Sequence, residues 1–288
     1  MEQAADTPEQ PLVSVVMATF NEPPHYVALA IGSILSQTYS NIELLVLDDS
    51  TNPDTIKAID NTTASDTRAR VIRKKKKMGF VPALNVGLEE ARGKYVARMD
   101  GDDISLPHRI ATQVEYLEDH PEVDILGGCL NIIDCKGTIT SYRRYPAKGF
   151  RLALYGAVRN PMAHPTVMMR RVMKCGPNRY NESYHAAEDL EMWMRLRKRG
   201  AVYQNLPESL LNYRVLEEMA RKRDHRNFRY NLRARCAGIS LKFFPFDILG
   251  VVMTMFYCIT PLSLISKIYA WENNLNSKAK RKVKSMFS

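Results

Sequence analysis

The feature that most constrains the fold of this chain is a regular alternation of short apolar runs with helix-like segments over its N-terminal third. Runs rich in aliphatic residues are predicted to be strands, at 12–18, 42–47, 70–72 and 95–99. Helices are predicted between them, at 26–36, 53–61 and 81–92. This alternation is typical of an α/β domain in which helices cover a mostly parallel sheet.

Polar clusters follow three of these predicted strands, at the point where each strand ends. They are Thr19–Asn21, Asp48–Asp49 and Asp100–Asp103. Ligands of parallel α/β sheets bind at the carboxyl ends of the strands, so the three clusters are expected to line one cleft.

The segment Asp100–Asp103 places three carboxylates in four residues, with Gly101 between the first two. Carboxylates this close repel one another, and a divalent cation relieves the repulsion. Their hard oxygen atoms suit Mg²⁺ or Mn²⁺, which commonly share carboxylates with substrate phosphates. A solvated turn is the alternative, but the position directly after a buried strand favours a metal site.

The remainder of the main domain is less regular. Further strands are predicted at 123–128, 130–133 and 209–215, and a helix at 187–200 that ends in basic residues and a glycine. We therefore expect a flexible N-terminus over 1–11, which lacks a secretory-signal pattern, and a domain over 12–216. The five scattered cysteines favour a reduced, cytosolic setting.

The C-terminal segment 217–288 carries most of the net charge of +10, with fourteen Lys/Arg against five Asp/Glu. It also contains an uncharged run, 248–266, that is interrupted by Pro261 and flanked by basic segments at 221–242 and 278–284. These features favour helices that lie in or dip into an anionic membrane surface. A single membrane span, a helical cap packed on the main domain and a dimer interface are the alternatives.

Several segments together resemble family 2 glycosyltransferases, enzymes of the Rossmann-like GT-A fold. The matching segments occur in the order typical of the family, at 13–22, 33–51, 85–103, 106–110, 164–171 and 187–196. The resemblance is strongest to bacterial enzymes that assemble O-antigen, capsule or exopolysaccharide. It implies an inverting, metal-dependent transfer from a nucleotide-sugar donor, with UDP-sugars the commonest, to a polyprenyl-diphosphate-linked acceptor at the cytoplasmic face of the inner membrane.

The resemblance also implies roles for donor-binding residues. Thr19, Phe20, Asn21 and Glu22 would line the nucleotide pocket, and Asp48 and Asp49 would receive the base and ribose, although Asp48 could instead be structural. Asp102 would contact the metal directly, with Asp100 as a second ligand or near the ribose. The His or basic residue that many relatives carry after the last strand is missing, so Arg214, Arg221 or Arg223 is expected to serve the phosphates.

On the acceptor side, the resemblance assigns the general base to Asp189 in the pair Glu188-Asp189. Acidic residues are also favoured at a helix start, and both roles are compatible. His164 is a candidate acceptor contact and Trp193 a candidate sugar-stacking platform on the acceptor side, but a structural role is the favoured interpretation of both residues.

Two other functions remain open from the sequence. A nucleotidyltransferase that forms sugar nucleotides also uses acidic metal ligands, but the loop Thr19–Pro23 lacks the glycines of such enzymes. A basic nucleic-acid-binding protein would explain the charge of 217–288, but that segment interleaves its charge with a long apolar run and no nucleic-acid-binding motif is recognised in the sequence.

Overall fold

The computed structural model describes residues 10–215, 225–261 and 264. Its strands are β1 (Val13–Thr19), β2 (Ile42–Asp48), β3 (Ala69–Ile72), β4 (Tyr95–Asp100), β5 (Ile104–Ser105), β6 (Ile125–Ile133), β7 (Ile139–Arg143), β8 (Met168–Arg170) and β9 (Tyr203–Arg214). Its α-helices are α1 (Pro24–Leu35), α2 (Pro53–Thr63), α3 (Phe80–Glu90), α4 (Arg109–Asp119), α5 (Gly149–Val158), α6 (Glu188–Lys198), α7 (His225–Ala237) and α8 (Phe244–Ile259).

Within these residues the strands form one sheet in the order β3-β2-β1-β4-β8-β6-β9-β5, and β7 pairs with β6. The half formed by β3, β2, β1 and β4 is parallel. In its register Thr19 lies beside Asp48, and Ala18 lies beside Asp100. The ends of these three strands therefore meet at one edge, as the sequence predicts.

The predicted α/β class is confirmed, and the first four strands and three helices are found close to their predicted bounds. β1 and β2 are buried along their whole lengths. Helices cover both faces of a parallel sheet, so its strands are continuous apolar runs without alternation. This is why these elements can be read from the sequence.

Two predicted strand boundaries are wrong. Strands predicted at 123–128 and 130–133 form the single strand β6, and the strand predicted at 209–215 begins earlier, at Tyr203. The β6–β9 register shifts at Cys129, so the residues around Pro207 are bulged out of the pairing. A bulge interrupts the apolar pattern without ending the strand.

The helices after residue 225 pack against the main domain. The guanidinium group of Arg197 in α6 forms a buried ion pair with Asp247 in α8, and both side chains are at most 5% exposed. Arg235 in α7 donates hydrogen bonds to the carbonyl oxygens of Gly156 and Arg159 at the end of α5. The part of the predicted C-terminal segment that the structure describes is therefore held to the domain by buried polar contacts.

The outer face of α8 is apolar and exposed. Val252, Phe256 and Ile259 are 57%, 50% and 81% exposed, respectively. Among the described residues, the stretch Leu241–Ile259 is long and apolar enough to cross a membrane, and 17% of its residues are buried. The basic segment 278–284, the phosphate-binding candidates Arg221 and Arg223, and most of the predicted N-terminus 1–11 lie outside the described residues.

Candidate active site

The loop after β1 projects from the sheet edge and is held by its own side chains. Asn21 has a left-handed backbone, with φ of 58°, which is uncommon for a residue other than glycine. Its side-chain oxygen accepts hydrogen bonds from the backbone N–H groups of Thr51 and Asn52. Phe20 is 47% exposed, and the Lys77 ammonium lies 3.2 Å from its ring centroid. The loop thus presents an exposed aromatic ring beside the strand ends.

Asp48 and Asp49 follow β2, and both hold neighbouring loops. The side chain of Asp48 is fully buried and accepts hydrogen bonds from the Thr19 hydroxyl, the Ser50 N–H and the Arg73 guanidinium. Burial alone raises the pKa of Asp48, but the hydrogen bonds from Ser50 and Arg73 bring it below its usual value. The predicted contact of Asp48 with the nucleotide is therefore corrected to a structural role.

Asp49 is partly exposed and tied to the loop that leads into α3. One carboxylate oxygen accepts the Met78 N–H at 3.0 Å and the other accepts the Gly79 N–H at 2.6 Å. Each oxygen retains a second lone pair that can accept a hydrogen bond from a ligand. Asp49 therefore remains compatible with its predicted role at the base and ribose.

The acidic loop after β4 brings three carboxylates together. Ligand atoms of Asp100, Asp102 and Asp103 lie within 4.8 Å of one another. Burial and repulsion from Asp100 raise the pKa of Asp102 to about 6. The pKa of Asp103 is also raised, by burial and by repulsion from Asp100 and Asp102. Arg98, a buried residue of β4, forms an ion pair with Asp100. The loop concentrates negative charge that one arginine does not neutralise.

Glu22 adds a fourth carboxylate to this loop. A Cβ atom added at Gly101 would lie 3.1 Å from the Glu22 carboxyl carbon, so the glycine allows this close approach. Burial, together with the charges of Asp102 and Asp100, raises the pKa of Glu22 to about 7. Glu22 is predicted to line the nucleotide pocket, and its carboxyl group lies between the loop after β1 and the acidic loop.

The acidic loop fits a divalent cation. The Oδ2 atom of Asp103 is buried and has no hydrogen-bond partner among the described residues, whereas its Oδ1 atom accepts the Arg214 N–H. An unpaired buried carboxylate oxygen is costly unless it is protonated or faces a cation. Carboxylate oxygens are the ligands that Mg²⁺ and Mn²⁺ prefer, so this cluster has the chemistry of the predicted site.

Arg214 does not reach the cleft, contrary to the prediction that it serves the donor phosphates. Its side chain is 2% exposed, and its guanidinium donates hydrogen bonds to the carbonyl oxygens of Asp102 and Asp134. The guanidinium carbon lies 4.0 Å from the ring centroid of Tyr26. These contacts occupy the Nε and Nη1 atoms, and they tie Arg214 to the backbone of the acidic loop.

Asp189 lies in the first turn of α6, two residues after a second left-handed residue, Ala187, with φ of 59°. One carboxylate oxygen accepts the Leu190 N–H at 2.6 Å, and the other accepts a hydrogen bond from the Asn160 amide. Burial raises the pKa of Asp189, and these hydrogen bonds partly oppose the shift. Burial and the charge of Asp189 raise the pKa of Glu188 to about 7.

Asp189 and Asp100, the first carboxylate of the acidic cluster, line one cleft of about 370 Å³. Residues from both halves of the sheet line it: Phe80, Arg98, Asp100, Leu130, Arg143, Tyr145, Asn160, Met162, Ala163, His164, Pro165, Glu188, Asp189 and Tyr213. Left-handed backbone at non-glycine residues concentrates at functional sites, and among the described residues it occurs at Asn21, in the loop after β1, and at Ala187, next to Glu188. The arrangement places Asp189, a carboxylate with a raised pKa, in the same cleft as Asp100, which is one member of the candidate metal site.

His164 and Trp193 have different positions. His164 lines the cleft, but it is 8% exposed, and its Nε2 atom lies 2.7 Å from the Tyr180 hydroxyl. Burial lowers the pKa of His164 well below its usual value, so the ring is neutral. Trp193 is fully buried in the core and its ring packs edge-on against His164. The assignment of Trp193 to the acceptor side is therefore wrong, because no face of the indole reaches solvent.

Sequence reasoning missed Arg98, Asn160 and Arg143 among the residues that line the cleft. Arg98 was detectable, because a charged residue within an otherwise apolar buried strand needs a partner. Asn160 lies shortly before the motif at 164–171, but nothing local indicates that its amide reaches Asp189.

Comparison with known proteins agrees with this geometry. Residues 14–176 match the family described as Glycosyl transferase family 2. The putative glycosyltransferase EpsE of Bacillus subtilis is 34% identical over 236 residues, which are 77% of this chain and 78% of that protein. The amylovoran biosynthesis glycosyltransferase AmsE of Erwinia amylovora is 29% identical over 218 residues, which are 75% of this chain and 81% of that protein.

A third relative is the O-antigen biosynthesis glycosyltransferase WbnJ of Escherichia coli, 29% identical over 215 residues, with 73% of this chain and 82% of that protein covered. An uncharacterised glycosyltransferase of Haemophilus influenzae is 33% identical over 71% of this chain, and the match spans 66% of its length. Two of these relatives are named for the biosynthesis of amylovoran and of O-antigen.

Among solved structures, S. aureus TarS 1–349 in complex with UDP-GlcNAc superposes with a TM-score of 0.64 at 17% identity, covering 84% of this chain and 71% of that one. At this identity the similarity establishes the fold. The family match covers more than half of the chain, and the matched range includes β4 and the acidic loop that follows it. The chain therefore belongs to glycosyltransferase family 2.

Proposed function

We propose that this transferase is an inverting enzyme that moves a sugar from a UDP-sugar donor to a hydroxyl group of a lipid-linked saccharide in the synthesis of a bacterial surface polysaccharide. The observation that carries the proposal is the shared cleft, in which Asp189 faces the strand end that bears Asp100. One carboxylate base on one side and an acidic metal site on the other are the two elements that a direct displacement needs.

The donor is proposed to occupy the edge formed by the ends of β1, β2 and β4. Phe20 offers an exposed ring for the base, and Asp49 retains acceptor capacity for the base or the ribose. Support for a UDP-sugar comes from the solved structure of a protein with the same fold in complex with UDP-GlcNAc. Thr19, Asn21 and Asp48 shape this edge through their hydrogen bonds.

Asp102 and Asp100 are proposed to hold Mn²⁺ or Mg²⁺, with the carboxyl groups of Asp103 and Glu22 close to them. When bound, the cation supplies stabilisation of the negative charge on a nucleoside diphosphate leaving group. Arg214 contributes by fixing the backbone carbonyl of Asp102, and so the position of the acidic loop.

Asp189 is proposed to act as the general base. Its carboxylate accepts the proton of the acceptor hydroxyl while the oxygen forms a bond to the anomeric carbon and the bond to the diphosphate breaks. Attack from the side opposite the leaving group inverts the configuration in one step. A base works best when its pKa lies near the working pH, and burial moves the pKa of Asp189 upwards from that of an ordinary carboxylate.

The described part of the C-terminal segment is proposed to rest on the cytoplasmic face of the bacterial inner membrane. Exposed apolar residues of α8, among them Val252 and Phe256, would enter the leaflet, while exposed Arg226, Arg229 and Arg233 of α7 would meet anionic headgroups. An acceptor whose lipid stays in the bilayer would then be presented near the cleft. The names of the polysaccharide-synthesis relatives are consistent with this setting.

A donor screen tests the function. Purified protein is incubated with UDP-, GDP- and dTDP-sugars, Mn²⁺ or Mg²⁺, and membrane lipid extract, and the released nucleoside diphosphate is measured. Asp189→Asn should abolish transfer and leave UDP binding within about twofold, because the amide cannot accept the proton. Asp119→Asn, an exposed acid at the end of α4, is the matched control. Normal turnover by Asp189→Asn would exclude Asp189 as the base.

A further inference from the structure

A second cavity, of about 460 Å³, opens on the other side of Asp189. It lies between the start of α6 and the two C-terminal helices. Its residues from those helices are Asn227, Phe228, Asn231, Arg235, Thr254 and Tyr257. Its volume is within the roughly 300–1,000 Å³ range of small-molecule sites. Half of the residues that line this cavity therefore come from the segment after residue 225.

The two cavities share three residues, Asn160, Glu188 and Asp189. Asp100 of the acidic cluster lines only the first cavity, and the C-terminal helices line only the second. In a direct displacement the attacking hydroxyl must reach the base, and it must approach the anomeric carbon from the side opposite the leaving group. A base at the junction of two cavities meets both requirements when each substrate occupies one of them.

The chemistry of the second cavity suits a polyhydroxylated molecule. Asn227 and Asn231 are one helical turn apart on α7, so their amides share a face, and an amide both donates and accepts hydrogen bonds. The rings of Phe228 and Tyr257 stack with centroids 5.6 Å apart and an interplanar angle of 19°. Amide groups beside aromatic rings match the alternating hydroxyl and C–H surfaces of a sugar.

Arg235 is not counted among the ligand contacts. Its two terminal nitrogens donate to the carbonyl oxygens of Gly156 and Arg159, and it is 3% exposed. It fixes α7 to α5 and thereby keeps the amide-bearing face of α7 over Asp189.

We infer that this second cavity binds the saccharide part of the acceptor, and that Asn227 and Asn231 hydrogen-bond its hydroxyl groups. The inference rests on the proposed function, because it gives the cavity the second substrate of that reaction. It assigns acceptor specificity to α7 and α8, the same helices that are proposed to contact the membrane. The donor edge and the acceptor cavity are then built from separate parts of the chain.

The test uses the full chain and a panel of octyl glycosides of glucose, galactose, mannose, rhamnose and N-acetylglucosamine as probes. Binding of each glycoside is measured by saturation-transfer NMR with UDP and Mn²⁺ present, and UDP binding is measured separately by calorimetry. The double variant Asn227→Ala/Asn231→Ala should weaken glycoside binding about tenfold, because two hydrogen bonds to the glycoside are lost. Asn231→Trp, which fills the cavity, should abolish glycoside binding. Both variants should keep UDP affinity within about twofold.

Asn178→Ala, an amide truncation outside both cavities, is the matched control and should change neither measurement. Thermal melting confirms that each variant is folded. The inference is overturned when no glycoside binds to the unmodified chain, when both cavity variants bind glycosides normally, or when UDP binding falls as much as glycoside binding. Failure of the proposed function looks different: the unmodified chain then neither binds UDP nor turns over any sugar nucleotide.

Discussion

The hydrogen bond from Asn160 to Asp189 should set the pH at which the enzyme becomes active. The amide N–H stabilises the carboxylate, so removing it favours the protonated form and raises the pKa of Asp189. A hydrogen bond to a charged group contributes about 1.5–3 kcal/mol, and one pKa unit corresponds to about 1.36 kcal/mol. The upper limit of the shift is therefore about two units, and water entering the vacated space reduces it to about one.

The sign follows from the role of the base. Asp189 must be deprotonated to accept a proton, so kcat/KM rises with pH through its pKa in the free enzyme. In Asn160→Ala this acid limb should move to higher pH by about one unit, with activity below the limb reduced about tenfold. Because Glu188 lies beside Asp189, and its pKa is raised to about 7, the limb reports both carboxyl groups together.

The assay is a pH profile of nucleoside diphosphate release for the unmodified chain, Asn160→Ala and the control Asn178→Ala. The control profile should superimpose on that of the unmodified chain. An acid limb that stays in place in Asn160→Ala, or moves to lower pH, would refute the assignment of Asn160 as the group that stabilises the ionised base.

Three further predictions concern the metal site, the core and the C-terminal helices. Asp102→Asn should lower kcat/KM by about 10²–10³ and weaken Mn²⁺ binding, measured by titration of activity with metal, whereas unchanged metal dependence would remove Asp102 as a ligand. Trp193→Ala should cost about 3–5 kcal/mol of unfolding free energy, measured by denaturant unfolding, because the indole fills the core; a loss of acceptor binding at full stability would contradict this. Val252→Asp/Phe256→Asp should reduce sedimentation with anionic vesicles by at least about tenfold, with the exposed acid replacement Asp119→Asn as a control, and unchanged binding would exclude this face of α8 from the membrane contact.

Family membership selects one of the three functions that the sequence leaves open. The features that decide it are local: an apolar strand followed at once by acidic residues is visible in Tyr95–Asp103, and the pair Glu188-Asp189 begins a helix with clear end signals. Such patterns depend on neighbours in the chain, so the parallel half of the sheet, the acidic loop and the position of Asp189 were predictable from the sequence.

Other parts of the site depend on contacts between residues far apart in sequence. Arg214 ends the last strand, where a phosphate contact is expected from the sequence, but its guanidinium donates a hydrogen bond to a carbonyl oxygen more than a hundred positions earlier. Asn160 reaches Asp189 from a loop that no periodicity marks. The second cavity forms only when α7 and α8 fold back on α6, so the asparagines on α7 read as ordinary polar residues in the sequence.

The position of Arg214 changes how a mutational scan of this protein should be interpreted. Replacing Arg214 would remove its hydrogen bonds to the carbonyl oxygens of Asp102 and Asp134 and its contact with the Tyr26 ring. The acidic loop would then lose its position, although no contact to a diphosphate is lost. A defective Arg214 variant would thus imitate a phosphate-binding mutant in a simple activity screen. Raising the manganese concentration separates the two explanations, because excess cation compensates for a loosened ligand turn and does nothing for a missing anion contact.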